Sequence, residues 1–168
     1  MTDVNEDIGK LSHVGDNLQG QLTRHFEQSP PDVWAMLTAP EKFQLWLAPG
    51  TIELRQGGAV KINFTDSGTV IDSKVSAYEA RKLLEYSWGG PNDPARPVRW
   101  ALAPSGGGTQ LTLTVGVPRN EDIARACAGW EAHLMMMMAA LEGVPMKFPF
   151  DRFKSTREEY KAQLAKLG

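Results

Sequence analysis

The sequence is poor in the residues that cross-linking and metal binding require. Its 168 residues include one cysteine, Cys127, and three histidines at scattered positions. A single cysteine excludes an internal disulfide. The spacing of these residues also matches no known set of metal ligands. We therefore expect neither a disulfide framework nor a metal centre.

The chain also has no long hydrophobic run and no excess of one charge. No apolar stretch approaches the ~20 residues that a membrane-spanning helix needs, and the acidic, polar start up to Asp16 has no apolar core of the secretory-signal type. Eighteen basic side chains against 20 acidic ones give a net charge of -2, whereas nucleic-acid binding needs clustered cations. We expect a cytoplasmic protein that neither spans a membrane nor binds nucleic acid.

Motifs of the common enzyme classes are missing as well. The sequence contains no G-x-S-x-G, no phosphate-binding loop and no dinucleotide fingerprint. The glycine run at residues 106–108 joins two predicted strands and precedes no helix, so it predicts a turn. These absences predict no cofactor and no catalytic residues, and they leave enzymatic activity open but less favoured than binding.

What the sequence does contain is an ordered series of secondary-structure signals. Leu18, Leu22 and Phe26 lie on one face of a predicted strand. Two short helices follow, the first beginning near Pro30 and the second near Glu41. Six runs with alternating apolar residues come next, at residues 51–55, 59–65, 69–79, 82–88, 97–103 and 109–117. Short strands separated by glycine-rich turns are typical of an antiparallel sheet.

The hydrophobic period then changes from two to that of a helix. Over residues 121–142 the apolar positions recur at intervals of 4, 3, 4, 3 and 4, and Gly143 ends the pattern. The positions are Ile123, Cys127, Trp130, Leu134, Met137 and Leu141. Because an amphipathic helix must bury its apolar stripe, the sheet is its natural partner. The order predicts an α+β fold in which a curved antiparallel sheet of about seven strands grips a long C-terminal helix.

The ends of the chain are predicted to differ from this core. Residues 1–17 read as a flexible arm, residues 18–143 as the domain, and residues 144–168 as a C-terminal helical extension. The Ser-Thr-Arg-Glu sequence at 155–158 resembles a capping box and predicts a last helix over 156–167. Three phenylalanines, Phe148, Phe150 and Phe153, are predicted to dock on the protein or on a second subunit, which makes a homodimer possible.

Two segments of the chain resemble a known family. The first includes Arg24, Phe26, Pro30, Val33, Trp34, Thr38, Pro40, Trp46 and Pro49, and the second includes Gly129, Trp130, His133 and Leu134. Their order and spacing resemble the START-like superfamily, also called SRPBCC or helix-grip, and within it the branch of the C-terminal domain of the activator of heat-shock protein 90 ATPase. The resemblance spans about residues 18–143. It implies a cavity between the sheet and the long helix, and it implies no general catalytic set.

Such a cavity would give several core side chains a second role as ligand contacts. The candidates are Arg24, Trp46, Phe64, Tyr86, Trp88, Trp100, Trp130, His133 and Met137. Indole rings suit apolar or aromatic ligands because they offer a large apolar face and one hydrogen-bond donor. The same residues can instead simply fill the core, and the sequence leaves both interpretations open.

The polar and methionine candidates carry similar alternatives. Arg24 faces inward on the first strand, so it can bind a ligand carboxylate or pair with an acidic residue of a neighbouring strand. His133 can act as a general acid or base, or serve as an ordinary hydrogen-bonded histidine. The four methionines at 135–138 point about 100° apart, so at least one should meet the sheet and at least one the solvent or the tail. They can form an adaptable pocket wall or plain core.

Three functions are compatible with this sequence. The first is binding of an apolar or amphipathic small molecule in the cavity. The second is a protein-interaction module, with a chaperone partner implied by the resemblance alone. The third is a cyclase- or hydrolase-like enzyme that uses the same cavity. One polar group in the pocket favours the binder, several convergent titratable groups favour the enzyme, and a filled cavity beside a large exposed apolar patch favours the interaction module.

Overall fold

The computed structural model describes residues 8–65 and 67–167. Its strands are β1 (Lys10–Val14), β2 (Asn17–Phe26), β3 (Gly50–Ile52), β4 (Ala59–Phe64), β5 (Thr69–Glu79), β6 (Leu83–Ser87), β7 (Pro97–Ser105) and β8 (Gly108–Pro118). Its helices are α1 (Pro30–Thr38), α2 (Pro40–Phe43), α3 (Ile123–Leu141) and α4 (Phe150–Leu167). This element order confirms the predicted α+β, helix-grip fold class.

The strands form one antiparallel sheet in the order β1-β2-β8-β7-β6-β5-β4-β3. The first long strand therefore lies beside the last one, with Leu22 opposite Leu113 at the middle of the β2–β8 pair. Since α3 follows β8 after a short turn, it lies against both of these strands. Farther along the sheet, β5 pairs with β4 on one side and with β6 on the other. The register of the β5–β6 pair shifts between Val75 and Ala77.

The expectation of a flexible arm over residues 1–17 is wrong for its second half. Residues 1–7 lie outside the described residues. Residues 10–14 form β1, which pairs with β2 and brings Leu11 opposite Gly20. Leu11 is 6% exposed and is the only fully buried side chain of the strand. With one buried position in five residues, this strand shows no alternation that the sequence could reveal. Because β1 adds to the predicted strands, the described sheet has eight strands rather than about seven.

Helix α3 buries the apolar stripe that its sequence predicts, and only Leu141 at its end is half-buried. It begins two residues later than Asn120 would place it. Asp122 caps the first turn, accepting a hydrogen bond from the backbone N–H of Arg125 at 3.0 Å. A glycine on the sheet permits the close approach of the helix, because a Cβ at Gly20 would collide with Cys127 Sγ.

Helix α4 begins six residues earlier than the capping-box pattern predicts. It starts at Phe150, directly after Pro149. Ser155, the cap expected from that pattern, lies inside the helix, where its hydroxyl donates to the carbonyl of Arg152 at 3.2 Å instead of capping. Thr156 is buried, and its hydroxyl donates to the same carbonyl at 2.7 Å. The helix packs against α3 and β1 and buries Tyr160 completely. The extension is therefore part of the core packing rather than an outer addition.

Candidate functional site

Four rings between the sheet and the long helix contact one another in a closed circuit. We call Phe64, Trp88, Trp130 and His133 the ring quartet. Ring centroids lie 5.8 Å apart for Phe64–Trp88 and 4.8 Å for Trp88–Trp130. The circuit closes through Trp130–His133 at 6.0 Å and His133–Phe64 at 6.2 Å. Aromatic pairs at these distances and tilts attract each other edge to face.

The quartet is assembled from three distant parts of the chain. Phe64 ends β4, Trp88 directly follows β6, and α3 supplies the other two rings. Trp130 and His133 are three residues apart on that helix, so they lie on the same face. β4 and β6 lie on either side of β5 and both run antiparallel to it, so both strands end near the N-terminal half of β5. The pairing of the sheet thus unites residues that are far apart in sequence.

The inner side of the quartet is backed by further buried rings. Trp100 contacts Trp130 at 5.4 Å and Trp46 at 5.8 Å, and Tyr86 contacts Trp88 at 6.3 Å. The indole N–H of Trp46 donates to the carbonyl of Met36 at 2.8 Å. The side chain of Trp100 hydrogen bonds to Tyr86, and burial raises the pKa of Tyr86 to about 12. This inner wall is therefore apolar, and its indole and phenol groups are neutral.

The outer side of the quartet is partly open to solvent. Phe64, Trp88 and His133 are each half-buried. Phe148, in the segment between α3 and α4, contacts His133 with a centroid distance of 5.4 Å and is half-buried too. Phe150 touches Phe148 but is 65% exposed, so it docks less fully than the sequence predicts. The extension thus forms one rim of the ring quartet.

The methionine run divides as helical geometry predicts. Met137 is fully buried and Met135 is 37% exposed. Met136 and Met138 are partly buried against the core. Of the predicted cavity residues, Met137 is therefore a core side chain of α3, and no ring contact of the quartet involves it.

His133 is held in one tautomer by a backbone carbonyl. Its Nδ1 lies 2.8 Å from the carbonyl oxygen of Trp46. Because a carbonyl only accepts hydrogen bonds, Nδ1 carries the hydrogen and Nε2 is left as an acceptor. Burial lowers the pKa of His133, and the hydrogen bond to Trp46 offsets this effect only in part. The imidazole is consequently neutral at neutral pH.

Arg24 belongs to a different cluster. Its guanidinium forms a buried ion pair with Glu131 of α3 and donates to the carbonyl of Thr23 at 2.8 Å. The prediction of an acidic partner on a neighbouring strand is wrong, because the partner is on the helix. A sequence signal for Glu131 exists: it lies four residues after Cys127 and three before Leu134, inside the apolar stripe.

The same carboxylate ties both ends of the chain to the core. Glu131 Oε2 accepts from the hydroxyl of Tyr160 at 2.5 Å and from the backbone N–H of Gly9 at 3.2 Å. Its Oε1 also accepts from Arg152 at 3.3 Å. Burial, followed by the charge of Glu131, raises the pKa values of Tyr160 and of Cys127, the latter to about 12. The polar groups of this network hydrogen bond to one another, so the network stabilises the packing of the chain ends.

The described residues offer neither a metal-ligand cluster nor a membrane-spanning helix, but they do form a surface groove. Among residues 8–65 and 67–167, no three His, Cys, Asp or Glu side chains lie close enough together to hold a metal ion. None of the described helices combines the length and the apolar character that crossing a bilayer requires. A surface groove of about 610 Å³, which the sequence did not predict, lies between Pro30 at the start of α1 and Leu102 of β7, with Arg81 on its wall.

Residues 27–142 match the family described as activator of Hsp90 ATPase homolog 1-like protein. The chain belongs to this family. The match lies within the span of about 18–143 over which the sequence resembles its branch. It includes α1, α2, the strands β3–β8 and α3, so all four members of the ring quartet lie within the family domain. No curated protein matches the sequence.

Solved structures of other proteins share the fold of this family member. A conserved protein of unknown function from Enterococcus faecalis superposes with a TM-score of 0.79 at 19% identity, covering 95% of this chain and 92% of its own. CalU16 from Micromonospora echinospora gives 0.76 at 18% identity, with 95% and 98% covered. A Mesorhizobium loti protein gives 0.67 at 24% identity, with 76% and 99% covered.

Two of these structures match most of the C-terminal extension. Coverage of 95% leaves only about eight of 168 residues unmatched. Most of residues 144–168 must therefore be matched in the Enterococcus and Micromonospora proteins. The C-terminal extension therefore lies largely within the part of the chain that is matched in these two structures.

Proposed function

We propose that this protein binds an apolar or amphipathic small molecule between the sheet and α3, with the ring quartet as the contact surface. The observation that supports the proposal is the quartet itself, which combines two half-buried rings of the sheet with two rings of the helix. Ligand pockets are mostly apolar and aromatic, with few polar groups that fix orientation. The protein acts in the cytoplasm, in keeping with its single, buried and unpaired cysteine.

The polar groups favour a binder over an enzyme. Of the three polar candidates, only His133 belongs to the quartet. Arg24 is neutralised by Glu131, and the hydroxyl of Tyr86 is buried against Trp100 with its pKa raised to about 12. Acid–base catalysis requires titratable groups that converge on a reacting atom. A single neutral imidazole among apolar rings instead suits recognition.

A fluorescence titration with N-phenyl-1-naphthylamine tests this proposal, because the dye emits strongly in an apolar environment. We expect saturable binding by the wild type and about tenfold weaker binding by Phe64→Ser, since a phenylalanine contact is lost. Val14→Ser is the control, because Val14 is 49% exposed and lies on β1, at the edge of the sheet opposite to β3 and β4. Absence of saturable binding to the wild type, or equal weakening by both substitutions, would contradict the proposal.

A further inference from the structure

His133 Nε2 makes no hydrogen bond with any described residue, and the same holds for the indole N–H groups of Trp88 and Trp130 in the ring quartet. His133 Nδ1 donates to the carbonyl of Trp46, whereas no described group hydrogen bonds to Nε2. The bond at Nδ1 fixes the orientation of the ring, so Nε2 points away from Trp46. The rings of Phe64, Trp130 and Phe148 surround the imidazole. The site therefore presents a single, oriented acceptor within an apolar surface.

The charge state of this acceptor limits what it can bind. Burial lowers the pKa of His133, so the ring stays neutral and Nε2 keeps its lone pair. A neutral acceptor attracts hydroxyl and N–H donors and repels the oxygens of a carboxylate. Arg24, which could have attracted a carboxylate, is already paired with Glu131. A ligand that packs on the quartet removes Nε2 from solvent, and a buried acceptor without a donor is unfavourable, so a donor on the ligand adds affinity.

We propose that His133 Nε2 accepts a hydrogen bond from a hydroxyl or N–H group of a ring-bearing ligand that packs on the quartet. The ligand class is thus that of phenols and related ring-bearing alcohols or amines. The inference rests on the proposed function and adds the polar half of the recognition. His133 is the specificity-determining residue of the site, and the surrounding rings provide the apolar contact.

The first test compares two probes that differ in one donor. Dissociation constants of 1-naphthol and 1-methoxynaphthalene are measured for the wild type and for His133→Phe. In the variant, the dissociation constant of 1-naphthol should rise relative to that of 1-methoxynaphthalene by roughly three- to tenfold, which corresponds to the loss of one neutral hydrogen bond. Using the ratio cancels the difference in hydrophobicity between the probes. His25→Phe is the control, because the imidazole of His25 contacts Ser105 instead of the quartet, and it should leave the ratio unchanged.

A second measurement uses the wild type alone, which keeps the inference testable even where His133→Phe does not fold. In ¹⁵N spectra of histidine-labelled protein, 1-naphthol should move the Nε2 resonance of His133 away from that of a free acceptor, and 1-methoxynaphthalene should not. An unchanged ratio in His133→Phe, or an unmoved Nε2 resonance with 1-naphthol bound, overturns the inference and leaves the proposed function standing. If neither probe binds the wild type, both fail.

Discussion

At the scale of single residues, two glycines experience opposite surroundings on the two sides of the same interface. Gly20 of β2 faces Cys127 so closely that an added methyl group would overlap its sulfur. Gly129 lies in the middle of α3, and a Cβ there would have no atom within 4 Å apart from its own helix. The first glycine is required by packing, whereas the second only lowers helix propensity.

This contrast gives a paired stability prediction. Gly129→Ala should raise the free energy of unfolding by about 0.5–1 kcal/mol, because alanine loses less backbone entropy in a helix. Gly20→Ala should lower it by about 1–3 kcal/mol through overpacking against Cys127. Urea unfolding of both variants measures the two changes. A Gly20→Ala variant as stable as the wild type would contradict the described contact between β2 and α3, and a less stable Gly129→Ala variant would contradict the open surroundings of Gly129.

His133 gives a prediction about pH. Its pKa in the folded protein lies below the ordinary value of 6.5, chiefly through burial. As pH falls through 6.5, the unfolded chain gains a proton that the folded protein takes up only at lower pH, so stability decreases. His133→Gln should reduce the loss of unfolding free energy between pH 7.5 and pH 5.5, whereas His25→Gln controls for removal of an imidazole elsewhere. Equal losses in wild type and His133→Gln would refute the depressed pKa.

At the scale of elements, a buried ion pair joins β2 to α3. Glu131→Leu leaves the Arg24 guanidinium buried without its carboxylate and should cost roughly 3–5 kcal/mol of stability. Arg24→Met should cost less, because Glu131 keeps its bonds from Tyr160 and Arg152. The double variant should be more stable than the sum of the two losses predicts. A double-mutant cycle by chemical denaturation measures this, and strict additivity would show that the pair is not coupled.

The C-terminal helix gives the second prediction at this scale. A chain ended after Gly143 loses Tyr160, which is fully buried and hydrogen bonded to Glu131, together with half-buried Phe148 and Phe153. Its melting temperature should fall, since buried apolar contacts and a hydroxyl partner of Glu131 are removed together. The melting temperature of Tyr160→Phe, which removes only the hydroxyl, should fall less. A truncated chain that melts at the wild-type temperature would rule out this docking.

The elements differ in how well local sequence predicts them. Strands such as β4 and β8 bury every second residue, and α3 buries a full stripe, so their periods are visible in the sequence. β1 buries only Leu11 fully, which is too little for a pattern. α4 starts at Phe150 and runs through the capping signal of residues 155–158, where the Ser155 hydroxyl bonds to the carbonyl of Arg152 within the helix. The ring contacts depend on which strands pair, and no local pattern contains that information.

At the scale of the whole molecule, α3 serves two clusters with adjacent residues. Trp130 belongs to the ring quartet and Glu131 to the network that holds the ends of the chain. Successive helical residues point about 100° apart, so the two side chains diverge into different surroundings. The helix thus separates the proposed recognition surface from the polar network that stabilises the fold, and of that network the sequence singled out only Arg24.

The most direct test of binding at the ring quartet is to locate a bound aromatic ligand on the protein. Intermolecular nuclear Overhauser effects between 1-naphthol and isotope-labelled protein report contacts within a few ångströms. We expect contacts from the naphthol ring protons to the rings of Phe64, Trp88 and Trp130. Saturable binding with contacts only elsewhere, such as the groove between Pro30 and Leu102, would contradict it.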